Sequence, residues 1–358
     1  MGDSQTMKFD DALDYIRNPY VTEGIYEKEQ RILHIELNSD PESVTLEKAK
    51  EFFECSKLLN LVTIASGDDR VSNIADDALS AFDLAFTTSS TQCEALIQVS
   101  DVDEAISGIE ASVISNPQSS IMLVQLLRQR AYLDVATGLV SESTVYATLQ
   151  GGPEFQTWIS ERDALPEDNS SASTILSNRD GSVLTISLNR PDKANAFSVA
   201  MRDELVEQLR FAAADRSIQQ VILKGKGNSF CSGGDLSEFG LQKSTSEAHL
   251  IRMVSNPAFW MSEIHDRMSV HLKGNCIGAG IELPAFSNNV IADETISISL
   301  PEIQMGLIPG SGGTVSIPRR VGPQKMVYLA LSGESIDSQT ALDWKLIDKV
   351  VSSFPTEY

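Results

Sequence analysis

Two acids and two glycine-bearing turns are the residues whose types and spacing could do chemistry together. Glu282 lies in GNCIGAGIELP (274–284), where small residues precede a single carboxylate and an apolar run then resumes. Glu302 lies twenty residues further on in SLPEIQMG, after a Pro301 that favours extended geometry just before it. That separation leaves room for a helix, a turn and a strand, so both acids can reach one cavity. Two close carboxylates cannot both ionise freely, and one is then able to donate a proton near neutrality. Gly233 and Gly234 in NSFCSGGDLSEF (228–239) allow a turn that a Cβ would crowd. IGAGIEL ends a strand and opens a helix, which puts Ala279 and Gly280 where a helix start leaves N–H groups unsatisfied. Two such turns facing each other would cradle an oxyanion, and losing one such donor typically costs about 3 kcal/mol of transition-state stabilisation. A glycine pair alone is more commonly a packing turn, and an isolated Glu more commonly a solvated edge or half of an ion pair. Here each acid lies beside a glycine turn, since IPGSGG (308–313) follows the second.

The elements that must position these residues read as strand and helix in alternation. SVLTISLN (182–189) alternates as a strand, SVAMRDELVEQLRFAAAD (198–215) has helical spacing, and QQVILKG (219–225) is a buried strand. MSVHLKGNCIG (268–278), GIELPAFSNNVIA (280–292) and ISISLPEIQMG (296–306) repeat the theme, which predicts an α/β fold. Upstream, DALPEDNSSASTILSNRDG (163–181) reads as a polar linker and divides the chain into residues 1–170 and 171–358. RILHIELNSD (31–40) echoes SVLTISLNRPD (182–192), and LSAF (79–82) echoes LSEF (236–239), the pattern of a worn internal repeat or else of a helical extension with one strand.

The combination LNRPDKANAF, FCSGGDL, GNCIGAGIEL and PEIQMGLIPGSGGT, in that order between about residues 180 and 351, resembles the crotonase or enoyl-CoA hydratase/isomerase superfamily. The resemblance implies a crotonase-like spiral of ββα units in the C-terminal half. It implies an oxyanion hole from the backbone N–H groups of Gly234 and Ala279, holding an acyl-CoA thioester. In the hydratase branch Glu282 would activate water against C3 and Glu302 would protonate C2. Keeping both acids favours a hydratase; an isomerase shuttling a proton with one carboxylate, another thioester-enolate reaction, or a non-catalytic acyl-CoA-binding subunit are the alternatives. Lys193, Ala194, Ser232 and Leu236 match positions that contact coenzyme A, with Arg319 and Arg320 either adding positive charge or capping a helix. No metal or separate cofactor is implied, coenzyme A being part of the substrate, and a homotrimer or hexamer is expected.

Family members continue past the counterpart of LIDKVV (346–351) into helices that cover the acyl group. Here similar helices stand upstream, DEAISGIEASVISNPQSSIMLVQLLRQ (103–129) and GLVSESTVYATLQGGPEFQTWISER (138–162). The N-terminal region is therefore expected to be a mainly helical α/β segment, an abbreviated non-catalytic crotonase-like repeat or an unrelated cap, that covers the site or builds the oligomer.

Composition bounds the partners. With 28 basic and 50 acidic residues the net charge is −22, which repels nucleic acid and anionic membrane over most of the surface. Cys55, Cys93, Cys231 and Cys276 show no CxxC pair, and the four histidines fall in unlike contexts, so neither a zinc site nor a disulfide framework is signalled. Cys231 and Cys276 read as packing residues beside the glycine turns. MGDSQTMKFDDALDYIRN lacks a basic start with an apolar core, and no run of about 18 apolar residues occurs, so a soluble cytoplasmic protein is expected.

Overall fold

The computed structural model describes residues 5–129, 133–163, 172–242 and 244–354. In chain order its first elements are β1 (Gln5–Lys8), α1 (Phe9–Arg17), α2 (Val21–Glu27), β2 (Ile32–Glu36), α3 (Leu46–Ser56), β3 (Val62–Ser66), α4 (Asp76–Leu79), β4 (Leu84–Thr87) and β5 (Ile97–Gln98). Four helices follow, α5 (Val102–Ser115), α6 (Pro117–Gln129), α7 (Val135–Gln150) and α8 (Pro153–Ser160). Then come β6 (Ile175–Asp180), β7 (Val183–Leu188), α9 (Val199–Ala214), β8 (Gln220–Gly225), α10 (Thr245–Val254), α11 (Pro257–Glu263), β9 (Met268–Leu272) and β10 (Asn275–Ile277). The chain continues with α12 (Ala279–Glu282), β11 (Asn289–Asp293), β12 (Ser297–Ser299), α13 (Gly313–Val321), α14 (Pro323–Ser332), α15 (Ser338–Asp343) and β13 (Lys349–Val351).

These elements form two compact units. The first takes the chain up to residue 132 together with Val321–Ser332; the second takes Leu133–Arg320 and the chain from Gly333 onward. The expected division at 170/171 is thus displaced, because α7 packs on α10 and α11 and α8 on the turn that Glu302 begins, all within the second unit. The polar stretch that suggested a linker runs partly outside the described residues. Its last part, Ile175–Asp180, is an edge strand, paired antiparallel with β7 and exposed at every position but the first. An edge strand facing water has a linker's composition, which is why the sequence misleads there. The Glu204 carboxylate fixes its start by accepting from the N–H groups of Thr174 and Ile175.

In the first unit β1 to β5 form one parallel sheet in sequence order. Every residue of β3 is buried, as a central strand covered on both faces requires. Phe9, Phe52 and Phe82 meet at ring centroid distances of 5.2–5.9 Å and anchor the core on one face. Beneath it Arg128 pairs with Asp83 and donates to the carbonyls of Ser56, Leu59 and Leu61, while Asp83 accepts from Thr63. Helix α14 belongs here, packing on α5, α6 and β4. The second unit is built on a six-stranded sheet, β13-β11-β9-β8-β7-β6, parallel except for β6, with β10 and β12 as a separate parallel pair. The predicted mixed α/β architecture holds. Among the described residues no helix is long and apolar enough to cross a membrane.

Candidate active site

The second unit brings the two glycine turns side by side. After β8 the chain runs beside β10, with the Cys231 N–H donating to Asn275 O and the Ile277 N–H to Cys231 O, both at 3.0 Å. Gly233 adopts φ +93°, and Gly278 adopts φ +50°, a combination with its ψ of −119° that a side chain would strain. Gly280 must also lack a Cβ, which would overlap the Cys231 carbonyl. Gly234 and Ala279 line one cavity of about 180 Å³, and among the described residues neither N–H meets a protein acceptor. The helix opened by Ala279 is a single turn, so this donor acts through its own N–H rather than through a macrodipole.

Glu282 and Glu302 converge on that cavity. A Cβ at Gly278 would overlap Glu302 Oε1 and stand 3.7 Å from Glu282 Oε1, so both carboxylates close over this one glycine. Glu282 is buried, and its Oε2 accepts from the N–H groups of Ser311 (2.7 Å) and Gly313 (2.9 Å). Glu302 begins the turn Glu302–Met305, which Gly306 ends at φ +70°. Its Oε2 is buried with no hydrogen-bond partner. Burial raises both acids above the ordinary carboxylate range, Glu302 to about 7, and the charge of Glu302 raises Glu282 further. The two backbone donors on Glu282 oppose this and favour its ionised form.

A third carboxylate was not anticipated from the sequence. Glu142, buried on α7, accepts from the N–H groups of Gly312 (2.7 Å) and Thr314 (2.9 Å) and from the Thr314 hydroxyl (2.7 Å), and burial raises it to about 7. It comes with Leu139, Ser143, Tyr146 and Gln150 on one cavity-lining face of α7. The Asp134 side chain caps this helix by accepting from the Thr137 N–H. The sequence signal was an acid at helical spacing among small and apolar residues of a segment recognised only as a covering helix. Arg252 and Phe239 join the lining from the chain between β8 and β9.

Lys193, Ala194 and Ser232 lie together: the Ser232 N–H donates to Ala194 O at 3.0 Å and its hydroxyl to Lys193 O at 3.4 Å. Ala194 is left-handed at φ +47°, followed by Asn195 at φ +55°, whose amide holds the loop by donating to Lys226 O and Ser229 O. Leu236, 37% exposed, starts the turn after Gly234. None of the four is part of the cavity wall. Arg319 and Arg320 are held by local acceptors and neither lines the cavity: Arg319 donates to Val315 O and Leu133 O, and Arg320 donates to Ala285 O and Ser287 O and pairs with Asp348. Cys231 and Cys276 are buried neighbours in a parallel bridge, and burial raises both thiols, Cys231 to about 12. Among the described residues no three His, Cys, Asp or Glu side chains are grouped to hold a metal.

Residues 178–355 match the family described as enoyl-CoA hydratase/isomerase. Over 183 residues the chain is 33% identical to the 2,3-dehydroadipyl-CoA hydratase of Escherichia coli, covering 51% of this chain and 70% of that protein. It is 30% identical over 181 residues to the 1,2-epoxyphenylacetyl-CoA isomerase of the same organism, covering 49% and 69%. Among solved structures, the enoyl-CoA hydratase of Thermoplasma volcanium is 28% identical with a TM-score of 0.47, covering 51% of this chain and 73% of that one. The chain belongs to the enoyl-CoA hydratase/isomerase family.

Proposed function

We propose that the protein is an enoyl-CoA hydratase that adds water across a 2-enoyl-CoA double bond. The observation that carries this reading is the convergence of Glu282 and Glu302 over Gly278, in a cavity that also receives the unclaimed N–H groups of Gly234 and Ala279. A thioester oxygen would accept from those two amides. Glu282, held by Ser311 and Gly313, would take a proton from a water as its oxygen bonds to C3. The π electrons move to the thioester oxygen as an enolate stabilised by the amides. Glu302, with an unpartnered oxygen and a pKa near neutrality, then delivers a proton to C2 and the carbonyl re-forms. The balance is one water O–H bond and the C2–C3 π bond broken, one C–O and one C–H bond formed, and one proton gained by Glu282 for the one given up by Glu302, so the reading calls on no metal or redox cofactor.

Outside the cavity, Lys193, Ala194, Ser232 and Leu236 would meet the coenzyme A portion, their backbone groups presented by the left-handed Ala194 and the turn at Leu236. We read the first unit as non-catalytic: it holds neither glycine turn nor an acid pair corresponding to Glu282 and Glu302. The decisive experiment follows the conjugated thioester absorbance of crotonyl-CoA and of longer and branched 2-enoyl-CoAs. Wild-type protein should consume at least one; Glu282→Gln and Glu302→Gln should retain acyl-CoA binding and lose turnover by about 10²–10⁴. No consumption across the panel, or turnover only of 3-enoyl isomers, would overturn it.

A further inference from the structure

We propose that Arg252 makes this cavity selective for acyl groups that end in a carboxylate, so that the substrate is the mono-CoA thioester of a short unsaturated diacid. The proposal rests on the reading of the cavity as an acyl site. Arg252 reaches the cavity from α10 and is partly buried. Its Nε donates to the Ser143 hydroxyl (3.0 Å), Nη1 to Gln150 Oε1 (3.3 Å) and Nη2 to Ser143 O (3.4 Å), and the guanidinium lies 4.8 Å from the Tyr146 ring centroid. Every one of these partners is neutral. Among the described residues no carboxylate stands within ion-pair distance of it, whereas Arg202 on the same wall is paired with Asp203 at 2.8 Å.

A guanidinium stays charged and has five N–H groups in a planar fork. Three are used here, which leaves two for an incoming anion, and a carboxylate is the group that such a fork grips with two parallel bonds. Glu142 acts on Arg252 through its charge, yet its own oxygens are occupied by Gly312 and Thr314. The cation is accordingly oriented by Ser143, Gln150 and Tyr146, all from α7, without being neutralised by contact. The wall otherwise carries Glu142, Glu238, Glu282 and Glu302, with Arg202 paired to Asp203, in a chain of net charge −22, so an anionic acyl end calls for a local cation that is not already paired. An uncharged chain would leave the guanidinium desolvated with no anion to meet it. The volume, about 180 Å³, lies below the roughly 300 Å³ at which pockets for drug-sized ligands begin, which favours a short acyl group.

The test compares kcat/KM of the full-length protein on the mono-CoA thioesters of pent-2-enedioic and hex-2-enedioic acids with pent-2-enoyl- and hex-2-enoyl-CoA. Wild type should prefer the diacid by about tenfold or more for at least one length. Arg252→Met should bring that ratio below about two, and Arg252→Lys should keep part of it. Affinity for coenzyme A alone should not change; a loss there equal to the loss on the diacid would place a coenzyme phosphate on Arg252 and overturn the proposal. So would a wild-type preference for the neutral thioesters, or a proportional loss on both in Arg252→Met. Calorimetric titration with saturated glutaryl- and pentanoyl-CoA reads the same ratio without turnover, so a failed hydratase assay and a failed diacid preference are distinguishable.

Discussion

Glu302→Gln should stabilise the protein above neutrality while removing the proposed hydratase activity, and the size of the first effect follows from the site. The Glu302 carboxyl is raised from an ordinary 4.5 to about 7, chiefly by burial. Below pH 4.5 it is protonated whether the chain is folded or not, and it costs nothing. Between 4.5 and 7 the unfolded chain releases the proton while the folded chain keeps it, so stability falls as pH rises. Above 7 the folded protein carries the charge, and the loss levels off at about 3 kcal/mol, because a tenfold change in acidity is worth about 1.4 kcal/mol. Glutamine has no such titration, and removing the Glu302 charge also relieves Glu282 in the same direction. At roughly 2–4 °C per kcal/mol for a unit of this size, the variant should melt about 6–12 °C above wild type at pH 9 and converge with it near pH 4.5. Calorimetry of both proteins between pH 4.5 and 9 provides the measurement. A difference that does not grow with pH, or a variant less stable at pH 9, would refute the claim that the site holds this carboxyl at an energetic cost.

Two further substitutions test the framework. Gly278→Ala introduces a Cβ into the position of Glu302 Oε1 at φ +50°, so acyl-CoA turnover should fall at least about 100-fold, with a backbone cost of about 1–3 kcal/mol visible in the melting temperature. Arg128→Ala leaves Asp83 and three carbonyls without their shared donor and should cost the first unit about 3–5 kcal/mol, read as lost hydrogen-exchange protection in β3 and β4.

How much of this was legible depends on where the constraint resides. The turns at Gly233 and Gly278 are written in local sequence, because only glycine tolerates those angles or close approaches. Strands β7 and β8 show the alternating pattern by which a half-buried strand is recognised. Arg128 and Asp83, by contrast, are 45 positions apart, and nothing in either neighbourhood says that they meet. Ile175–Asp180 failed for the opposite reason: its local composition is clear but matches two environments, a linker and a solvated edge. The echoes of 31–40 and 79–82 fall on β2 and on the end of α4, yet β1 pairs parallel with β2 whereas β6 pairs antiparallel with β7, so local likeness did not extend to the first strand of each sheet.

The loop Gly310–Thr314 shows why the helix upstream of the family core cannot be treated as packing alone. Its successive N–H groups go alternately to two acids: Ser311 and Gly313 to Glu282, Gly312 and Thr314 to Glu142. Such alternation points neighbouring amides in opposite directions, which the chain achieves with Gly312 at φ +99° and with no Cβ on Gly313, where one would press within 2.7 Å of Glu282 Cγ. Glu142 therefore holds one side of the strip whose other side fixes the proposed catalytic base. Replacing it by alanine would leave three buried donors without an acceptor, each costing about 1–3 kcal/mol, and would free the amides that orient Glu282. A charge buried at Glu282 is tolerable only while that strip stays in place, so the acid that the sequence shows depends on one, 140 residues earlier, that the sequence did not reveal.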